Sequence, residues 1–292
     1  MIIFVMTAEH PYTLEEVIKG SPGVEIRIAT YDWLLEQDRP PRATYVFTDV
    51  DRLAMWRVRQ AATTYRRLRA EGMRVLNDPA RLPSRYGLLR NLYRAGLNAF
   101  DAYRAEEGLI PVRWPVFLRT EGGHDAPLTG LMRNWDETRR AVNDAIAAGY
   151  PITSLLIIEY AAQPVRPDLF RKLSVFRIGD AYVGANCVHE DNWLVKYGAE
   201  GIATADLYAD DLRIVRDNPF EGAMRPVFEL AAIEYGRSDF GLVGGKVQTY
   251  EINTNPHIEF PTDHPFEDRV ESYRIFQRNF NEALAKIDTP TS

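Results

Sequence analysis

Near its start the chain places apolar residues in short unbroken runs, with helix-spaced stripes between them. Ile2-Ile3-Phe4-Val5-Met6 is one such run and predicts a strand buried on both faces. Residues 12–19 have helical spacing and stop at Gly20; residues 24–28 alternate as a second strand. Residues 44–48 predict a third strand and 73–76 a fourth, with a long arginine-rich helix over 51–71 closed by Gly72. Strands alternating with helices imply a mostly parallel sheet, so residues 1–80 read as a Rossmann-like α/β unit. No Gly-x-Gly-x-x-Gly follows the first strand, which removes a dinucleotide site from consideration.

Beyond residue 80 the pattern becomes mixed. Ser84 caps a helix reaching Leu92. Residues 98–104 and 112–119 are strand candidates. Residues 136–148 form a helix ending at Gly149, with no evident cap at Asn134 or Trp135. Residues 155–158 are a fully apolar strand. Residues 171–177 and 181–188 form a hairpin across Gly179-Asp180, 226–235 a helix, and 273–287 an amphipathic closing helix. The fold class is α/β with α+β character, divided as 1–80 and 81–292.

Composition narrows the function. Hydrophobic residues make up 46% of the 292, an ordinary globular level. The net charge of −6 gives no nucleic-acid signature. Arginines do concentrate between Arg52 and Arg94; some face phosphate or an acidic substrate, or the run is a solvated helix face. Cys187, the one cysteine, excludes an intramolecular disulfide and a thiolate metal cluster, and its apolar run predicts a buried structural thiol. No run approaches a membrane span, and the first residues lack the basic segment of a signal peptide, so a cytoplasmic protein is expected.

The chemistry concentrates near the end. Glu251 and Asn253, two apart in Glu251-Ile252-Asn253-Thr254-Asn255-Pro256, would share one face of a strand. Asp239 precedes them, and the run 242–247, with Gly244-Gly245 at its centre, predicts a hairpin returning the chain beside it. Hard oxygen donors of this kind suit Mg²⁺, which keeps waters and binds substrate phosphates.

Asp, a glycine hairpin and Glu-x-Asn-x-x-Pro resemble the metal-binding end of the ATP-grasp superfamily, as in D-alanine–D-alanine ligase and the RimK-like ligases. Asn77-Asp78-Pro79 resembles the Asn-x-Pro that closes their N-terminal unit. The resemblance covers about residues 77–285 and implies an ATP-grasp fold with a Rossmann-like N-terminal domain and two subdomains holding ATP between them. It implies Asp239, Glu251 and Asn253 as Mg²⁺ ligands. It places Glu159, Tyr160 and Ala161 at the hinge whose backbone meets adenine, and makes Lys172 or Arg177 a cation for the phosphates. Pro115-Val116-Phe117-Leu118-Arg119 matches a segment that ends in lysine in the family; Arg119 keeps the charge with more bulk.

The loop 120–130 departs from the family's glycine-rich loop. Gly122 and Gly123 still offer backbone N–H groups to phosphate, and His124 is either a general base, a substrate contact or a surface side chain. Lys196 is the candidate for the acyl phosphate or γ-phosphate. His189 is not a candidate; His257 and His264 read as structural.

The implied activity is ATP- and Mg²⁺-dependent ligation, with a carboxylate activated as an acyl phosphate and joined to an amine or similar nucleophile. The alternatives are an ATP-grasp kinase acting on a hydroxyl and a nucleotide-binding protein without catalysis. The expected partners are small-molecule or peptide acids and amines, with no nucleic acid and no membrane. A homodimer is implied by resemblance alone.

Overall fold

The computed structural model describes residues 1–20, 23–123 and 125–288. In chain order the elements are β1 (Ile2–Met6), α1 (Glu15–Lys19), β2 (Ile26–Thr30), α2 (Tyr31–Leu35), β3 (Thr44–Phe47), α3 (Met55–Ala70), β4 (Val75–Leu76), α4 (Arg85–Arg94) and β5 (Ala102–Arg104). They continue with β6 (Val116–Thr120), α5 (Trp135–Ala147), β7 (Leu155–Glu159), β8 (Phe170–Ile178), β9 (Ala181–Glu190), α6 (Ala205–Asp217), α7 (Glu221–Ala231), β10 (Tyr235–Val243), β11 (Lys246–Asn253) and α8 (Glu267–Ile287). By the density of internal contacts the chain forms two units. One holds Met1–Leu82, Arg166–Asp239 and Ile252–Ser292; the other holds Pro83–Val165 and Phe240–Glu251.

In the first unit β1 to β4 make a parallel sheet of order β2-β1-β3-β4. All five residues of β1 are buried, as a central parallel strand requires. Ile3 and Val5 pack with Tyr45, Phe47, Tyr65 and Leu68 on one face. Ile2, Phe4 and Met6 pack on the other with Tyr235 and with Phe276, Phe280 and Leu284 of α8. Asn77 ties this sheet to β10. It is fully buried in left-handed conformation, φ 65°. Its Nδ2 donates to Phe47 O (3.0 Å) and Tyr235 O (2.8 Å), and its Oδ1 accepts from Glu234 N (2.8 Å) and Tyr235 N (2.9 Å). Its own N–H donates to Glu234 Oε2 at 3.1 Å.

The second unit carries an antiparallel sheet of order β5-β7-β6. Alternation along β7 sends Leu155 and Ile157 to a core with Val116, Leu118 and α5, and Leu156 and Ile158 to a core with Leu89 and Phe100. Ser84 accepts from Gly87 N and caps α4 as expected. Asn134, where the sequence shows no evident cap, accepts from Glu137 N at 2.9 Å, while the Glu137 carboxylate accepts from Arg133 N at 2.7 Å. This is a capping box shifted onto an Asn, which competes for backbone groups as Ser does.

The remaining sheet has the order β11-β10-β8-β9. Gly244 and Gly245, φ 57° and 77°, form the two-residue turn between β10 and β11. Positive φ at both positions is the primed hairpin geometry. Several expectations change. The helix expected over 226–235 runs instead from Glu221 to Ala231; Ala232 turns left-handed at φ 53° and Tyr235 already belongs to β10. The helix expected from residue 51 begins at Met55, and α6 appears where no element is evident in the sequence.

Asp211 of α6 is fully buried and accepts from Cys187 N (2.9 Å), Asn186 Nδ2 (3.3 Å) and Arg269 of α8. His189 on β9 is 4% exposed, and its Nε2 is buried with no hydrogen-bond partner among the described residues. Burial, then the Arg171 charge, lower its pKa to about 4 from 6.5. Between those values the unfolded chain takes up a proton that the folded one refuses, so stability falls as pH drops through that window. The expected loss is about 3 kcal/mol. His189→Leu is expected to flatten this slope in urea titrations run from pH 7 to pH 4.

Candidate active site

In the first unit the site is built on Asp239, 1% exposed on β10. Arg237 is two residues away on the same strand face and forks onto it, Nε to Oδ1 at 2.7 Å and an NH group to Oδ2 at 3.1 Å. Lys172 Nζ stands 3.4 Å from Oδ2, and Ser174 Oγ donates to Oδ1 at 2.9 Å. Lys172 and Ser174, two apart on β8, share a strand face, so both serve one carboxylate. Burial opposes the charge on Asp239, but Arg237 and Lys172 outweigh it and hold the carboxyl below its ordinary value. Asn253 Oδ1 accepts from Asn255 N at 2.9 Å.

Lys196 is held by its backbone. Lys172 Nζ donates to Lys196 O at 2.9 Å. Glu190 Oε1 accepts three consecutive N–H groups, from Lys196 (2.8 Å), Tyr197 (2.8 Å) and Gly198 (2.9 Å). Burial pushes the Glu190 carboxyl up, but these donors prevail and keep it below the usual glutamate range. Removing this carboxylate should release the segment that carries Lys196. Glu190→Ala is expected to speed tryptic cleavage after Lys196 about tenfold, read by limited proteolysis and mass spectrometry.

In the second unit Arg85 is the organiser. It opens α4 and donates to Glu251 Oε2 at 2.8 Å and to the carbonyls of Glu121 and Gly123, both at 3.0 Å. Gly122 is held from the other side, its carbonyl accepting from Thr120 Oγ1 at 2.8 Å. Arg85 Nε is buried with no partner among the described residues. Burial, then the charge of Arg85, lower Arg119 to about 10, with Glu251 and Asp125 opposing. Glu251 and Asp125 lie against these two arginines, and the buried Arg85 N–H without a partner among the described residues is a donor that an anion would satisfy.

Other expected residues fall elsewhere. Arg177 does not join Lys172. Its Nε and NH1 donate to Gly179 O and Ile233 O, both at 2.9 Å, because period two puts it on the opposite face of β8. At the segment expected to meet adenine, Glu159 is 1% exposed and its carboxylate is spent on Asp101 N (3.1 Å), Tyr103 Oη (2.9 Å) and Arg113 N (2.9 Å). The backbone N–H groups of Glu159 and Tyr160 donate to Asp101 O and Pro115 O, and Ala161 O accepts from Tyr250 Oη at 3.0 Å. His124 lies outside the described residues. Among the described residues no three His, Cys, Asp or Glu side chains form a metal cluster; Asp239, Glu251 and Asn253 offer two carboxylates and an amide. No helix of the described residues is long and apolar enough to cross a membrane.

No family model matches the chain, and no curated protein does. Solved structures do. A D-alanine–D-alanine ligase from Bacillus anthracis, complexed with ATP, matches at TM-score 0.56 and 12% identity, over 98% of this chain and 96% of that one. The ATP-grasp ligase PsnB, complexed with Mg, ADP and a phosphomimetic variant of its minimal precursor, matches at TM-score 0.56 and 14% identity, over 99% and 97%. The chain has the ATP-grasp fold. A D-alanine–D-alanine ligase from Coxiella burnetii matches at TM-score 0.54 and 12% identity, over 99% of this chain and 95% of that one. At these identities the likeness is one of fold.

Proposed function

We propose that the protein is an ATP- and Mg²⁺-dependent ligase that activates a carboxylate as an acyl phosphate and joins it to an amine. The observation that carries this reading is the pairing of Asp239 and Glu251 with cations on a glycine hairpin of the ATP-grasp fold. Asp239 is neutralised by Arg237 and Lys172, and Glu251 by Arg85. Asp239 is therefore held charged, both carboxylates stand at positions where oxygen donors for Mg²⁺ are expected, and Asn253 adds an amide oxygen two residues from Glu251. The oxygen set fits Mg²⁺, and the buried unspent N–H of Arg85 fits a phosphate.

Mg²⁺ held by Asp239, Glu251 and Asn253 would neutralise charge on the phosphates. The protein's own groups supply the rest. Arg85, Arg119, Lys172 and Lys196 orient phosphate oxygens, and each of these cations trades its present partner for the nucleotide. Arg237 stays beside Asp239 and offers its guanidinium to the transferring phosphoryl group. Gly122 and Gly123 cover the phosphates once Arg85 releases their loop. No covalent nucleophile is required, so the chemistry is positioning and electrostatics.

The test is ADP release by the purified chain with Mg²⁺, ATP and panels of carboxylates and amines. Ligation predicts ADP release that needs an acid and is raised by an amine. ADP release driven by a hydroxyl compound alone would replace ligation with phosphorylation. ATP binding without any turnover would make the site a nucleotide-binding one.

A further inference from the structure

The sheet order β2-β1-β3-β4 reverses between β1 and β3. The crevice outside the carboxyl ends of two such strands is where an open parallel sheet takes its ligand. Both strands deliver polar groups there. Thr7 follows β1, and Asp49 follows β3 in left-handed conformation, φ 54°. Asp49 is 3% exposed. Its Oδ2 accepts from Thr7 N (3.2 Å), Thr7 Oγ1 (3.0 Å) and Asn255 Nδ2 (3.0 Å), and Arg52 Nε lies 3.3 Å from its Oδ1. A strained, buried aspartate with this many donors is over-determined by its surroundings, as residues at functional sites often are.

The hydrogen bonds fix a tautomer. A carboxylate accepts only, so the single hydroxyl proton of Thr7 goes to Asp49. Thr7 Oγ1 also stands 2.6 Å from His10 Nδ1. With its own proton already committed, the threonine oxygen must accept there, so Nδ1 carries the imidazole proton. The lone pair is left on Nε2. His10 lies at the edge of the crevice, with the half-exposed rings of Tyr12 and His257 beyond it, 6.0 Å from His10 to Tyr12 and 5.7 Å from Tyr12 to His257 between centroids. The charged and titratable groups around it are Asp49 and Arg52, then Tyr12, His257 and Glu259. Asn255 joins this crevice to the proposed metal ligand, because its side chain bonds Asp49 and its N–H bonds Asn253 Oδ1.

We propose that this crevice seats the amine substrate and that His10 Nε2 takes its proton. The inference rests on the ligase reading. An amine arrives as an ammonium and has no lone pair for attack. One N–H proton passes to His10 Nε2, giving an imidazolium beside the Asp49 charge. The freed electron pair forms the C–N bond at the acyl carbon, and the C–O bond to phosphate breaks with its pair on the phosphate. The second N–H proton leaves on that phosphate, and His10 returns its proton to solvent. His10 is the catalytic residue; Thr7 and Asp49 are positioning residues that set its tautomer and stabilise its charged form.

Nitrogen-15 spectra of the histidine-labelled full chain test the tautomer, with His10 assigned by its absence from the His10→Gln spectrum. At mildly alkaline pH the wild type should show His10 with Nδ1 protonated, and Thr7→Val should move it toward the Nε2-protonated form. An Nε2-protonated His10 in the wild type would overturn the proposal. The kinetic arm uses hydroxylamine, a nucleophile already largely unprotonated at neutral pH. His10→Gln should keep ATP-dependent hydroxamate formation within about twofold while losing about 100-fold in amide formation from an ammonium substrate. Equal loss with both nucleophiles would also overturn it. Absence of ADP release from the wild type with any acid would instead sink the ligase reading and leave the tautomer result standing.

Discussion

Asn77→Ala is expected to cost about 4 kcal/mol of stability, a large fraction of the roughly 5–15 kcal/mol by which a native chain is stable. The side chain satisfies two carbonyls and two N–H groups from three residues on different elements, and it does so from a fully buried position. Alanine would leave all four groups without partners, and no water reaches them at low cost. Alanine would also have to hold the left-handed conformation that Asn tolerates. Asn77→Asp separates the two contributions. It keeps the shape and one set of acceptors but faces Phe47 O and Tyr235 O with oxygen instead of N–H, beside the Glu234 carboxylate. Chemical denaturation should rank wild type above Asn77→Asp, with the deficit shrinking in acid as the new carboxyl protonates and regains a donor.

Asp239→Asn is expected to abolish nucleotide turnover, by about 10³-fold or more, and to destabilise the chain by about 3 kcal/mol. The carboxylate is buried and shared by Arg237, Lys172 and Ser174. An amide keeps the shape but leaves two cations facing no negative charge, and its NH₂ group points a donor where a cation or metal must sit. ADP release and urea titration on the same preparation measure both effects. A variant that folds as the wild type does and still turns ATP over would remove Asp239 from the site. Lys172→Met offers a contrast, because losing one cation leaves the carboxylate paired with Arg237; its stability should change by about 1 kcal/mol while turnover still falls.

The parts legible in the sequence are those where one physical demand dominates. β1 is buried on both faces, so its apolar run is unbroken. The turn at Gly244-Gly245 needs positive φ twice, and only glycine gives that freely. The helix that the sequence pattern does not show, α6, and the one whose bounds it shifts, α7, each carry a conflict. α6 buries Leu207, Tyr208, Ile214 and Val215 at helical spacing, but Asp211 interrupts the stripe, and it is tolerated only because Arg269 and Cys187 N meet it there. α7 holds Pro226 inside, which in a sequence reads as a helix start. Asn134 hides its cap because its partner Glu137 is an ordinary helix residue.

The same division runs through the candidate site. The pattern proposed to bind metal, Asp239 with Glu251 and Asn253, has residue types and spacing of its own. The cations around it do not. Arg85 is one arginine in a run of many, and only its bonds to Glu251, Glu121 O and Gly123 O single it out. Arg237 carries a faint signal, since a residue two before Asp239 on a strand shares its face. On β8, period two puts Lys172 and Arg177 on opposite faces, and the contacts with Asp239 and with Ile233 O decide which one belongs to the site. Glu190 was invisible because its partners are backbone N–H groups of a loop, which no side-chain pattern encodes.

The central claim is that Glu251 and Asn253 help hold the Mg²⁺ of a bound nucleotide. Isothermal titration with a non-hydrolysable ATP analogue, with and without Mg²⁺, on the wild type and on the Glu251→Ala/Asn253→Ala double variant, tests it directly. Binding should require Mg²⁺ in the wild type and weaken by about 100-fold in the folded double variant. Equal affinity in the two proteins, or wild-type binding indifferent to Mg²⁺, would contradict it.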